Sequence, residues 1–126
     1  MLINEYFNEI ESLIDKCVHI VESNISKDRR SLHIGIIEGR IFFKDESLLD
    51  FIEFVNVKEI VEVYKYAYHY QKRDASLIFR YDMAPHHREI KTFPHHKHIS
   101  SSGVTESTFP NFAQVLNEIV DTMDHF

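Results

Sequence analysis

Apolar and polar positions follow two different periods along this chain. From Met1 to Ser23, Leu2, Ile3, Phe7, Ile10, Leu13, Ile14, Cys17, Val18 and Val21 recur at three- and four-residue spacing, with no Gly or Pro in the run. That period predicts an amphipathic helix. Pro110 to Met123 repeats it through Phe112, Val115, Leu116, Ile119, Val120 and Met123. Thr108 or Asn111 would cap this second helix, with Pro110 tolerated in its first turn.

Between the helices the period drops to two. Ser31–Lys44 reads as one long bent strand rich in β-formers, followed by a turn at Asp45-Glu46-Ser47. Gly35 and Gly39 within it suggest a bulge, a bend or a close backbone approach. Leu48–Val55 is a second strand, with Leu49, Phe51, Glu53 and Val55 on one side. A carboxylate among apolar neighbours needs a partner, so Glu53 reads as an edge-strand charge or a salt bridge ahead of a catalytic group. Val61–Gln71 is the clearest strand, with Tyr64, Tyr66, Tyr68 and Tyr70 as a stripe along one face. The stripe suits helix packing and, as the alternative, base stacking. After a turn at Lys72–Ala75, Ser76–Asp82 places Arg80 and Asp82 on one face. Ser26–Arg30 reads as a polar connection and His98–Thr108 as loop, with a short extended piece near Val104. The expected fold is α+β, one domain over residues 1–126. A four-stranded, mostly antiparallel sheet would carry an N-terminal and a C-terminal amphipathic helix.

Composition narrows the function classes. The chain has 126 residues, of which 44% are hydrophobic, enough for a core without disulfides. Its one cysteine, Cys17, lies on an apolar stripe and reads as buried, which fits a reducing cytoplasm. The start Met1-Leu2-Ile3-Asn4-Glu5 lacks the basic region of a signal peptide, and no apolar run approaches the roughly 20 residues of a membrane span. The net charge of −6 argues against a generic polyanion binder.

The charge is uneven, however. Five of the nine histidines (His86, His87, His95, His96 and His98) fall within one stretch, together with Arg80, Arg88, Lys91 and Lys97 against the acids Asp82 and Glu89. Histidine titrates near neutral pH and also binds metals. Three readings follow. In a metal-free nuclease, two of these histidines would act as general base and acid, Asp82 would orient one of them, and the four cations would hold phosphate. RNA would supply its own 2′-hydroxyl nucleophile, and nothing marks Ser100, Ser101 or Ser102 as one. In a metal site, His96 and His98 would chelate a divalent ion such as Zn, with Asp82 or His86 completing the set, although no HExxH or CxxC pattern occurs. In a binding module, the tyrosine stripe and basic loop would contact a protein or RNA.

The strings Tyr64-x-Tyr66-x-Tyr68-His69, Leu77-Ile78-Phe79-Arg80-Tyr81-Asp82-x-Ala84-Pro85-His86-His87 and Thr92-Phe93-Pro94-His95-His96-Lys97-His98 resemble the TumE family. Its members are small toxins of prokaryotic type II toxin–antitoxin modules, grouped with a related uncharacterised domain family. Leu49-x-Phe51-x-Glu53-Phe54-Val55 fits the same pattern, and the resemblance spans Ile34–Val120. Where the family has a Gly in its first β-turn, this chain has Asp45-Glu46-Ser47. The resemblance implies a toxin neutralised by a small cognate antitoxin. Many such toxins cleave RNA, and the histidine cluster agrees, so the expected activity is that of an endoribonuclease; the residues themselves suggest no cofactor, with a divalent metal such as Zn as the alternative, and a homodimer stays open as a further partnership.

Overall fold

The computed structural model describes residues 1–83, 95–99, 103–106 and 110–124; of residues 95, 96, 103–106 and 124 it describes the backbone. Helix α1 spans Ile3–Lys16. It ends before the hydrophobic period does, because Cys17 turns to extended backbone (φ −83°, ψ 111°) and strand β1 follows at Ile20–Arg29. The expected helix to Ser23 and the polar connection at Ser26–Arg30 are corrected accordingly. Val18 and Val21 had extended the helical period, yet both are exposed.

Strands β2 (Ile34–Phe43), β3 (Leu48–Asn56), β4 (Glu62–Gln71) and β5 (Leu77–Met83) occupy the four predicted extended runs. Two more, β6 (His95–Ile99) and β7 (Gly103–Glu106), precede helix α2 (Phe112–Asp124). The α+β class with a helix near each end holds, but the antiparallel sheet has seven strands among the described residues, not four. They pair strictly in chain order from β1 to β7. The hairpins β2–β3 and β4–β5 turn by the same device. In each, an Asp carboxylate (Asp45, Asp74) accepts hydrogen bonds from the backbone and hydroxyl of the Ser two residues on, Ser47 or Ser76. The residue between, Glu46 or Ala75, sits at φ 70°, where glycine is cheapest. The side-chain brace replaces the glycine these turns lack.

Both helices pack on one face of the sheet. Ile37, Ile41, Leu49, Phe51, Val55, Tyr66, Tyr68, Tyr70 and Phe79 are buried there beneath α1 and α2. Each fully buried apolar side chain contributes about 1.5–3 kcal/mol, which makes this layer the main source of stability. A Cβ on Gly35 would stand 2.8 Å from both Ile3 and Phe7, so its absence is what lets α1 settle onto β2. Phe112 of α2 rests on Phe51, ring centroids 4.9 Å apart. Asn111 caps α2: its Oδ1 accepts from the Gln114 N–H, while Gln114 Oε1 accepts from the Asn111 N–H, a reciprocal capping box.

The tyrosine stripe is core for three of its four members. Tyr64 departs because the β3–β4 register shifts between Phe54 and Val55. This bulge moves Tyr64 beside Phe54 on the opposite face, at 41% exposure with ring centroids 5.3 Å apart. Among the described residues no helix is long and apolar enough to cross a membrane.

Candidate functional site

The second face of the sheet carries no helix among the described residues, and the strand register orders its side chains into rows. Asn24 pairs with Arg40, Arg40 with Asp50, Asp50 with His69, His69 with Arg80, and Arg80 with His98. The next row reads Ser26, Glu38, Ile52, Ala67 and Asp82, with the backbone of His96 opposite Asp82. Residues paired across antiparallel strands share a face and lie within about 5.5 Å at the Cα atoms. One helix-free face therefore collects charged and imidazole groups from five successive strands.

At the β4–β6 end the groups touch. Arg80 donates from Nε to Asp82 Oδ2 at 2.9 Å, and its Nη1 lies 3.3 Å from His69 Nδ1. His98 Nε2 stands 3.6 Å from the same Asp82 oxygen. Asp82 is only 9% exposed, so this carboxylate is held between a guanidinium and an imidazole largely out of water. A proton gained by His98 would be stabilised there by the adjacent negative charge. The Tyr66 phenol is pushed up first by burial and then by the Asp82 charge. Farther along the row, Arg40 grips Asp50 with two hydrogen bonds, at 2.8 and 3.2 Å.

Of the residues singled out in the sequence, Arg80, Asp82 and His98 are brought together. His95 and His96 stand on β6, their backbones opposite Met83 and Asp82. His86, His87, Arg88 and Lys91 lie outside the described residues. Lys97 is placed elsewhere. Opposite Tyr81 on the helix-covered face, it donates to Glu118 of α2 at 2.6 Å and sits over the Tyr81 ring at 4.6 Å. Burial alone would lower its pKa, but the hydrogen bonds to Glu118 and Tyr81 turn the net shift upward. Its charge is already engaged in fixing α2 to the sheet. No three His, Cys, Asp or Glu side chains among the described residues converge as a metal set.

Glu53 is not an edge-strand charge, and among the described residues it has no salt-bridge partner. β3 lies inside the sheet, and Glu53 is 1% exposed beneath α1, where it accepts hydrogen bonds from the Tyr6 and Tyr68 hydroxyls. Burial pushes its pKa up; the two hydroxyls act in the opposite sense without cancelling the shift. Sequence reasoning passed over His69, Arg40 and Asp50 as members of the open-face row. Alternation already placed His69 opposite the tyrosines; only the register brings it to Arg80.

No curated protein and no solved structure matches the chain. The family model described as Toxin TumE matches residues 10–124, from within α1 to the last residue of α2. With that match over nearly its whole length, this chain belongs to the TumE toxin family, which makes it a toxin of a toxin–antitoxin module with an antitoxin as its partner.

Proposed function

We propose that this toxin cleaves RNA on the open face of the sheet, around Arg80, Asp82 and His98. The observation that carries the reading is the contact set just described: a guanidinium and an imidazole share one carboxylate on the face that no helix covers among the described residues. RNA cleavage needs a base to take the 2′-hydroxyl proton, a cation beside the phosphate, and an acid for the leaving oxygen. His98 is the base. It takes the 2′-hydroxyl proton, and Asp82 stabilises the resulting imidazolium. The 2′-oxygen attacks phosphorus to give a 2′,3′-cyclic phosphate, and the bond to the 5′-oxygen breaks. Arg80 faces the charge that develops on the phosphoryl oxygens. A second imidazole from His86, His87, His95 or His96 returns a proton to the 5′-oxygen. Arg88 and Lys91 supply further phosphate contacts.

Purified toxin incubated with total RNA, with and without EDTA, tests this. Cleavage should persist in EDTA and fall by roughly 10²–10⁴-fold in His98→Ala. RNA left intact at high toxin excess would overturn the proposal. Cleavage abolished by EDTA and restored by Zn would replace the acid–base mechanism with a metal-assisted one built on His96 and His98.

A further inference from the structure

The open face has a second feature, adjoining the proposed cleavage site and sharing Arg80 with it. Where the two rows cross the middle of the sheet, Ile52 and Ala67 leave a hollow of about 430 Å³. That volume lies within the usual range of small-ligand pockets. Its floor is the Ala67 methyl, the Ile52 side chain and the Gly39 backbone; its walls are polar. Glu38 stands at one end, exposed, with no ion-pair or hydrogen-bond partner among the described residues. Arg80 stands at the other end, and the Arg40–Asp50 pair and His69 form the side between them.

The tautomer of His69 follows from its neighbour. A guanidinium can only donate, so His69 Nδ1 must accept the Arg80 hydrogen bond and the ring proton must sit on Nε2. The hollow therefore presents a carboxylate acceptor at one end and N–H donors at the other, across a small apolar floor. A bare phosphate would meet Glu38 and Asp50 unfavourably. A flat heterocycle with donors on one edge, acceptors on another and an apolar face to set on Ile52 and Ala67 meets all of these groups. Among the four RNA bases, guanine alone carries two adjacent N–H donors, N1 and N2, matched to the two oxygens of a carboxylate, with the acceptors O6 and N7 farther round the ring.

We propose that the hollow is a guanine-binding subsite, with Glu38 reading N1 and N2, and that it sets where the strand is cut. The inference rests on the RNA-cleavage reading, because it supposes a strand whose phosphate lies at Arg80. Glu38 and Arg80 are three inter-strand gaps apart, about 14 Å, which leaves room for one base beside that phosphate.

Binding can be measured without cleavage. GMP, AMP, CMP and UMP, and 2′-deoxy tetranucleotides with or without one guanine, are titrated into the whole protein and into Glu38→Gln, with amide chemical shifts as the readout. GMP should bind roughly tenfold more tightly than the other mononucleotides, and Glu38→Gln should remove that preference without altering AMP binding. The guanine-containing tetranucleotide should bind more tightly than GMP; equal affinity would overturn the strand as the source of the base. Equal affinity for all four mononucleotides, or a guanine preference retained in Glu38→Gln, would overturn the subsite. RNA cleaved at the same positions by Glu38→Gln and parent would do so too, leaving the cleavage reading in place. Guanine preference in a protein that leaves total RNA intact would overturn cleavage instead.

Discussion

Among the described residues each face of the sheet holds one buried carboxylate, and the two are built in opposite ways. Glu53, under α1, lies in the buried layer and accepts hydrogen bonds from the hydroxyls of Tyr6 and Tyr68. Asp82, on the open face, meets Arg80 and His98. The first arrangement ties a helix to the sheet through an acid that resists ionisation. The second sets the opposite charges of Arg80 and Asp82 side by side, with Arg80 the more exposed of the two. A carboxylate beside a guanidinium and an imidazole can move protons or hold a charged ligand; one beside phenols holds a core together. Burial does not separate the two roles, since both residues are buried, but the neighbours do.

The sharpest way to break this contrast is to neutralise each acid and measure both stability and cleavage. Asp82→Asn should reduce RNA cleavage by roughly 10²-fold or more while the protein stays folded, because the His98 imidazolium loses its counter-charge. Glu53→Ala should do the reverse. Two buried hydroxyls lose their acceptor, at about 1–3 kcal/mol each, so unfolding by urea or heat should show a loss of about 3 kcal/mol, or about 10 °C in Tm. Cleavage per folded molecule should not change. If Glu53→Ala cost cleavage but not stability, the assignment of the two faces would be reversed.

The pH dependence of stability sharpens the same point. Burial raises the Glu53 pKa above its ordinary 4.5, so the folded state holds a proton that the unfolded chain releases sooner. That contribution is complete below about pH 4.5 and is lost as pH rises through the folded value. Urea titrations from pH 4.5 to neutrality should therefore show stability falling less in Glu53→Gln than in the parent. An identical slope in both proteins would mean that Glu53 ionises as freely folded as unfolded. The smallest effect belongs to Lys97. Its ion pair with Glu118 is partly exposed and is worth up to about 1 kcal/mol, so Lys97→Met should lower stability by no more than that and leave cleavage intact. A loss of cleavage equal to that of His98→Ala would place Lys97 in the RNA site despite its face.

Much of this was legible in the chain, and the failures share a cause. The four strands that bury one side show period two plainly, and α2 shows its apolar stripe. β1 did not, because an edge strand reading Glu22-Ser23-Asn24-Ile25-Ser26-Lys27-Asp28-Arg29 buries too little to impose alternation, while Val18 and Val21 prolonged the helical spacing of α1. Tyr64 was misplaced because a bulge reverses facing without leaving a mark in composition. The candidate site was half legible. Spacing put Arg80 and Asp82 on one face, and composition marked His98. Periodicity assigns a residue to a face and never to a neighbour, so neither His69 nor the Lys97–Glu118 pair could be read before the strands were in register.

The strict chain-order pairing of the strands has a consequence in time. Each hairpin can close as soon as its own residues exist, and domains form from the N-terminus during synthesis. The contact set draws on His69, Arg80 and His98, from β4, β5 and β6, so it cannot exist on a nascent chain that stops short of β6. A ribosome making this toxin carries a meander that lacks this contact set for most of its translation. On the proposed cleavage reading the complete site arrives late, as a property of connectivity alone, and fragments ending before β6 would lack His98 and leave RNA uncut.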